Sequence, residues 1–283
     1  MKLFRFGNIG EEKAGVLIDG KKYDVSTFGE EFDKKFLSNG GKERLEKFIA
    51  ENKSTLKEID DNVRIGVPCA DPAKIVCVGL NYADHVKETG LKQENEPILF
   101  LKAISSLTGP FDGVTIPKDS HKTDWETELA VVIGKKANYV TEEDAEDYIW
   151  GYVLHNDISE RGFQTERGGT WDKGKGCDTF APIGPYLVSK DEIPDSNNLK
   201  VWLKLNGTLV QDGTTQDFIY KIPKLIAYIS QFMSLNPGDI ISTGSPAGVG
   251  MGMNPQRFLR DGDVIEYGID GLGEARQEFK AYK

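Results

Sequence analysis

The sequence predicts a β-rich α/β fold, and three observations carry that prediction. Short apolar runs rich in β-branched residues recur along the chain and end in glycine, as in Leu129-Ala130-Val131-Val132-Ile133-Gly134, the pattern of buried strands. Asp19-Gly20 and Asn206-Gly207 stand between such runs and read as tight hairpin turns. Helical periodicity is confined to a few intervals, chiefly Gly41 to Leu56 and Phe218 to Met233.

In order along the chain, residues 1–68 form a small leading α+β unit. Its strands are expected at Leu3 to Phe6, Ala14 to Ile18 and Lys22 to Val25, ahead of the amphipathic segment Gly41 to Leu56. It carries no cluster of reactive side chains. The second unit, residues 69–283, alternates strand, turn and helix. Lys74 to Gly79 reads as a strand, Asn81 to Glu88 as a short helix, and Pro97 to Lys102 as a strand ending in a lysine that also suits a sheet edge. Tyr152 to Asp157 reads as a strand leading into a helix start at Ile158 to Gln164, followed by the glycine-rich loop Trp171 to Phe180 and a strand at Ile183 to Val188. The hairpin around Asn206-Gly207, the strand Asp239 to Thr243 and closing strands at Val264 to Ile269 and Glu274 to Phe279 complete the pattern.

Composition bounds the function. With 283 residues the chain can bury a large core, and 39% hydrophobic with 28% charged residues is ordinary for a globular protein. A net charge of -10 argues against nucleic acid as a partner. No apolar run is long enough to span a membrane. The opening Met1 to Gly7 has neither an apolar core segment nor a cleavage site, and the three cysteines, Cys69, Cys77 and Cys177, show no C-x-x-C spacing. A cytoplasmic location is therefore expected.

The chemistry gathers around Trp125-Glu126-Thr127-Glu128. Residues two apart on a strand share a face, so Glu126 and Glu128 point the same way. Two carboxylates side by side at the mouth of a buried strand repel each other and resist desolvation unless a cation or a shared proton neutralises them. A hard divalent ion suits oxygen donors, and a solvated sheet edge is the alternative. Asp157, at the end of its own strand, offers a third oxygen ligand. His85 and Glu88, three apart on a helix, can meet as a base and its orienting carboxylate, or stand as a surface pair. Lys175 lies in a glycine-rich segment without phosphate-loop spacing, which leaves it either a cation beside the oxygen-rich site or a solvated loop lysine. The loop Gly244 to Gly252 lacks the dinucleotide-binding pattern and suits either a close approach of backbone to ligand or a flexible turn.

Taken together, Asn81-Tyr82-x-x-His85-x-x-Glu88, Trp125-Glu126-x-Glu128, Asn156-Asp157, Gly174-Lys175-Gly176-x-Asp178-Thr179-Phe180, Gln211-Asp212-Gly213 and Thr243-Gly244-Ser245-Pro246-x-Gly248-Val249-Gly250 resemble the fumarylacetoacetate hydrolase family in its order, from about residue 70 to the C-terminus. The opening Met1-Lys2-Leu3-x-Arg5-Phe6-Gly7 and Glu12-Lys13-x-Gly15 look most like bacterial members assigned as hydrolases of 2,4-diketo-3-deoxy sugar acids or as ureidoglycolate lyases. The resemblance implies a mixed β-roll catalytic domain behind a small N-terminal domain, paired into a homodimer. It implies that Glu126, Glu128 and Asp157 bind Mg2+, with Mn2+ or Ca2+ as alternatives. It makes His85 and Glu88 the catalytic pair, Lys175 a further catalytic cation, and Gln211, Thr243 and Arg161 substrate contacts. Ser245 stands where threonine is common in the family, and Ala103 where proline often follows the lysine.

The implied reaction is hydrolysis of a C–C bond in an acylpyruvate-type acid, giving pyruvate and a carboxylic acid. The departing enolate needs its charge neutralised, which a divalent ion with open positions can do. Oxaloacetate decarboxylation and isomerisation of an enol acid use the same charge stabilisation and are the alternatives, with a non-catalytic metal-binding module as a third. Each of the enzymatic readings takes a small anionic keto acid as substrate, and such an anion needs local cations in so acidic a protein.

Overall fold

A computed structural model describes residues 1–90 and 95–283. A ten-stranded mixed sheet runs in the order Lys57–Glu58, Lys21–Asp24, Lys13–Ile18, Lys2–Phe6, Leu187–Ser189, Ile149–Asn156, Thr127–Ile133, Ile240–Ser242, Ile75–Gly79, Ile98–Lys102. A five-stranded sheet runs Thr208–Thr214, Lys200–Leu205, Val264–Ile269, Gly273–Ala281, Val114–Ile116. This is the β-rich α/β architecture that the strand-like runs predict.

Thr127–Ile133 is the centre of the large sheet because both of its faces are buried. Leu129, Val131 and Ile133 point into a core shared with Leu203, Ile265 and Phe279 of the smaller sheet. Ala130 and Val132 point the other way, into a core shared with Leu3, Val16 and Phe36 of the leading segment. A strand covered on both sides reads as a continuous apolar run, which is how it appears in the sequence. Residues 1–68 thus share a sheet and a core with the rest of the chain, since Lys2 and Leu3 pair with Val188 and Leu187.

Several elements differ from expectation for local reasons. The expected helix Phe218 to Met233 is restricted to Ile222–Ile229, with Pro223 in its first turn, where a missing N–H costs nothing. Phe218 instead packs edge-on against Tyr82, with ring centroids 4.9 Å apart. The strand expected from Ile183 starts only at Leu187, because Gly184 has φ 124° and Pro185 has no N–H to give a ladder. Ile158 to Gln164 divides into a short strand, Ser159–Glu160, and the helix Arg161–Thr165, whose Gly162 N–H donates to the Glu160 side chain. Both hairpin turns form as expected: Asp19-Gly20 and Asn206-Gly207 have positive φ throughout, as a type I′ turn requires. Among the described residues, no helix is long and apolar enough to cross a membrane.

Candidate metal and catalytic centre

Three adjacent strands and one short helix bring the charged groups together. On Thr127–Ile133 and Ile149–Asn156 the register sets Glu128 opposite His155 and Thr127 opposite Asn156. Glu126 and Asp157 lie just beyond these strands and are joined by the bond from Asp157 N–H to the Glu126 carbonyl, 2.8 Å. Carboxylate oxygens of Glu126, Glu128 and Asp157 all lie within 4.8 Å of one another, and all three residues are buried. The paired carboxylates are therefore not a solvated sheet edge.

Lys175 enters from the helix Asp172–Lys175, in the segment expected to be a loop. This turn seats against Glu160 and Gln164 because residue 174 is glycine. A Cβ there would lie 2.5 Å from the Glu160 carbonyl oxygen. The ammonium donates to Glu126 Oε2 at 2.6 Å and to Asp157 Oδ2 at 2.9 Å. It also stands 4.9 Å above the Phe100 ring. Lys102, whose position also suited a sheet edge, is buried and donates to Asp157 Oδ1 at 2.5 Å and to the Ile158 carbonyl at 3.0 Å. Arg161 donates to Glu126 Oε1 at 2.7 Å, to Asp124 Oδ2 at 2.9 Å and to Gln164 Oε1 at 3.1 Å.

Four buried carboxyls, those of Asp124, Glu126, Glu128 and Asp157, thus face the three buried cations Lys102, Arg161 and Lys175. Burial pushes the Glu126 carboxyl up, but the Arg161 and Lys175 charges outweigh it and hold the group below the usual range. Asp157 follows the same pattern, with burial overcome by Lys102 and Lys175. Asp124, where burial outweighs the Arg161 charge, is raised instead, and so is Glu128. Burial, then the charges of Asp157 and Glu126, push its carboxyl well above the usual range, and no cation among the described residues pairs with it. Its Oε2 accepts from Ser242 Oγ at 2.5 Å and from Gly244 N–H at 2.9 Å. A surplus buried carboxyl within reach of two others fits a hard divalent cation, whose ligands are oxygens.

The helix Ala83–Thr89 carries His85 and Glu88, with Nδ1 3.3 Å from Glu88 Oε2. The helix is fastened to the glycine loop through Glu88 and Asp84. Gly248 N–H donates to Glu88 Oε1 at 2.9 Å, Ala247 N–H donates to Asp84 Oδ2 at 3.2 Å, and Gly252 passes so close that a Cβ would meet Glu88 Cδ at 2.4 Å. That close backbone approach is to the Glu88 side chain. His85, Glu126, Glu128, Arg161 and Lys175 line one cleft, walled by Leu80, Phe100, Trp171 and Met251.

Two expected substrate contacts are placed elsewhere. The Gln211 amide is consumed in holding backbone: Oε1 accepts from Thr127 N–H at 3.0 Å, and Nε2 donates to Ser245 Oγ at 2.8 Å and the Pro246 carbonyl at 2.9 Å. Thr243 donates its hydroxyl to the Leu129 carbonyl at 2.7 Å. Both are fully buried and absent from the cleft wall, so they support the site from behind. Gln164 lines the cleft instead. Asp124 had no assigned role, yet it accepts from Arg161, from Gly250 N–H and from Met251 N–H at 3.0 Å, tying the acidic strand to the glycine loop. Its signal was available, because acidic residues recur two apart at 124, 126 and 128.

The family model described as fumarylacetoacetate (FAA) hydrolase C-terminal matches residues 74–280. The chain belongs to the fumarylacetoacetate hydrolase family. A protein of Burkholderia cenocepacia, provisionally named a hydrolase, is 48% identical over 279 residues, 98% of each chain. The fumarylacetoacetate hydrolase of Exiguobacterium antarcticum superposes with a TM-score of 0.86 at 34% identity, covering 100% of both chains. Maleylpyruvate hydrolase of Sphingobium sp. SYK-6, solved in complex with manganese(II) and pyruvate, superposes with a TM-score of 0.83 at 31% identity, again over 100% of both chains. In this fumarylacetoacetate hydrolase family member, the acidic cluster and the His85–Glu88 pair both lie within the matched residues.

Proposed function

We propose that this chain is a divalent-metal-dependent hydrolase that cleaves the C–C bond of an acylpyruvate-type acid, releasing pyruvate and a carboxylic acid. The observation that carries the reading is that Glu126 and Glu128 line the same cleft as His85, with an Asp157 oxygen within 4.8 Å of those of the two glutamates and Glu88 Oε2 3.3 Å from His85 Nδ1. Mg2+ or Mn2+ held by Glu126, Glu128 and Asp157 supplies Lewis acidity to the α-keto acid end of the substrate and neutralises the charge that develops there. The manganese and pyruvate bound to the Sphingobium enzyme support this choice of metal and of product.

The chain's own groups divide the remaining work. Glu88 engages His85 Nδ1, which leaves Nε2 to take a proton from water. The hydroxide so formed adds to the distal carbonyl. The bond from that carbon to the methylene then breaks, and the proton held on His85 returns to the methylene carbon as pyruvate forms. Lys175 adds fixed positive charge beside the acidic end of the cleft, and Arg161 holds Glu126 in place. Phe100 and Trp171, with ring centroids 5.3 Å apart, supply an apolar wall that strengthens these charge interactions.

The test is to incubate purified protein and Mg2+ with acetylpyruvate, a 2,4-diketo-3-deoxy sugar acid and oxaloacetate, and to follow pyruvate with lactate dehydrogenase and NADH. Pyruvate from a diketo acid, lost with EDTA and restored by Mg2+ or Mn2+, is the expected result. Pyruvate from oxaloacetate alone would replace the hydrolase with a decarboxylase. No turnover of any of the three would end the proposal.

A further inference from the structure

Behind the acidic cluster lies a fully buried histidine that the proposed reaction does not use. His155 faces Glu128 across the two central strands. Its Nδ1 is 2.6 Å from Ser242 Oγ, which is in turn 2.5 Å from Glu128 Oε2. Its Nε2 has no hydrogen-bond partner among the described residues. The ring is sealed from water, and a second N–H would leave an unpartnered buried donor at Nε2, so the ring carries a single N–H.

Donor bookkeeping fixes the direction of this chain once Glu128 is a carboxylate. Glu128 Oε2 already accepts from Gly244 N–H at 2.9 Å and, ionised, has no hydrogen to give. The single Ser242 hydrogen must therefore go to Glu128, and Ser242 Oγ must accept. Among the described residues, the only group placed to donate to it is His155 Nδ1. The lone hydrogen of the ring then sits on Nδ1, and Nε2 is left as a bare acceptor. An unpartnered buried acceptor is more common in native proteins than an unpartnered buried donor, so this tautomer also carries the smaller burial cost.

We propose that His155 is a positioning residue for the metal site. By donating from Nδ1 to Ser242 it commits the Ser242 hydroxyl to Glu128 Oε2, which fixes the orientation in which Glu128 meets a metal ion. This rests on the reading of the acidic cluster as a divalent-metal site. Groups behind a metal ligand that fix its orientation typically change metal affinity by roughly 10–100-fold when removed.

The experiment uses the full chain in two arms. In the first, 15N-labelled wild type loaded with Mg2+ is examined by long-range 1H–15N correlation. With three histidines in the sequence, the His155 ring is assigned by comparison with variants at position 85 and position 121. A neutral Nδ1–H tautomer is expected, and an Nε2–H tautomer or a charged ring overturns the proposal. In the second, Mn2+ affinity is measured for wild type, His155→Leu, Ser242→Ala and His155→Asn, whose side-chain amide can donate from the place of Nδ1. Leucine and alanine should each weaken Mn2+ at least about tenfold, with asparagine restoring most of the loss. Equal affinity in wild type and His155→Leu overturns the positioning role while leaving the metal site standing. Failure of wild type itself to bind Mn2+ or Mg2+ removes the metal site and this role together. Should the buried variants fail to fold, the wild-type spectrum still decides, because it needs no substitution at His155.

Discussion

Replacing Lys175 with methionine keeps most of the side-chain volume and removes the ammonium that stands 2.6 Å from Glu126 Oε2 and 2.9 Å from Asp157 Oδ2. Lys175, Glu126 and Asp157 are all buried, so water cannot replace the lost cation. Removing one partner of a buried ion pair costs about 3–5 kcal/mol, because a desolvated charge is left uncompensated. Lys102 still neutralises Asp157 and Arg161 still neutralises Glu126, which places the expected loss at the lower end, about 3 kcal/mol. For a chain of this size that corresponds to roughly 6–12 °C in Tm. Calorimetry or thermal circular dichroism in EDTA reads the loss. Adding Mn2+ should recover part of it, since a ligand bound only by the folded state stabilises by mass action, and the variant should gain more than wild type. A Lys175→Met protein with wild-type Tm in EDTA would refute the picture of mutually repelling carboxylates held by this cation.

Other outcomes follow from the same geometry. His85→Ala should lower kcat by roughly 10²–10⁴-fold, the usual worth of a general base, while Mn2+ affinity stays at the wild-type value; an unchanged rate would remove His85 from the reaction. Gly252→Ala sets a Cβ 2.4 Å from Glu88 Cδ, so Glu88 must move, and a displacement of this order can cost about 10²-fold in kcat with metal binding intact; wild-type kcat would show that the Glu88 seat is not needed. Arg64 pairs with Asp112 at 2.7 Å, and although burial pushes the Asp112 carboxyl up, the bonds from Arg64 and Gly109 N–H overcome it and hold the group below its usual range. A lowered carboxyl contributes stability above its unfolded pKa of about 3.9 and loses it as pH falls through the folded value. The stability deficit of Arg64→Met at pH 7, on the order of 1 kcal/mol after allowing for partial exposure and read as a lowered Tm, should therefore shrink toward pH 3; a deficit independent of pH would contradict this.

Much of the site was legible because strands impose a two-residue period. Glu126 and Glu128 were placed on one face, and Asp157 beside them, from alternation and strand ends alone. Lys102 and Lys175 were only half legible. Each has the sequence surroundings of a solvated lysine, and what buries it is a long-range pairing: Ile98–Lys102 against Ile75–Gly79 for one, Gly174 against Glu160 for the other. Gln211 and Thr243 were located correctly as part of the constellation but not in their contacts, since nothing in a sequence tells a side chain that faces a ligand from one that satisfies the backbone behind it. The Ser242 contact to Glu128 and the His155 contact to Ser242 were invisible for a similar reason, because they depend on the register between three strands distant in the chain. In the fold, the helix Ile222–Ile229 and the strand Leu187–Ser189 were overextended in prediction where apolar periodicity ran on past a proline.

The central claim is that Glu126, Glu128 and Asp157 together hold one divalent ion. Mn2+ titration followed by electron paramagnetic resonance tests it most directly, on metal-stripped wild type and on Glu126→Gln, Glu128→Gln and Asp157→Asn. One tight Mn2+ per chain in wild type, lost or severely weakened in each of the three variants, is the predicted result. Tight binding that survives any of these substitutions, or its absence from wild type, would contradict the account.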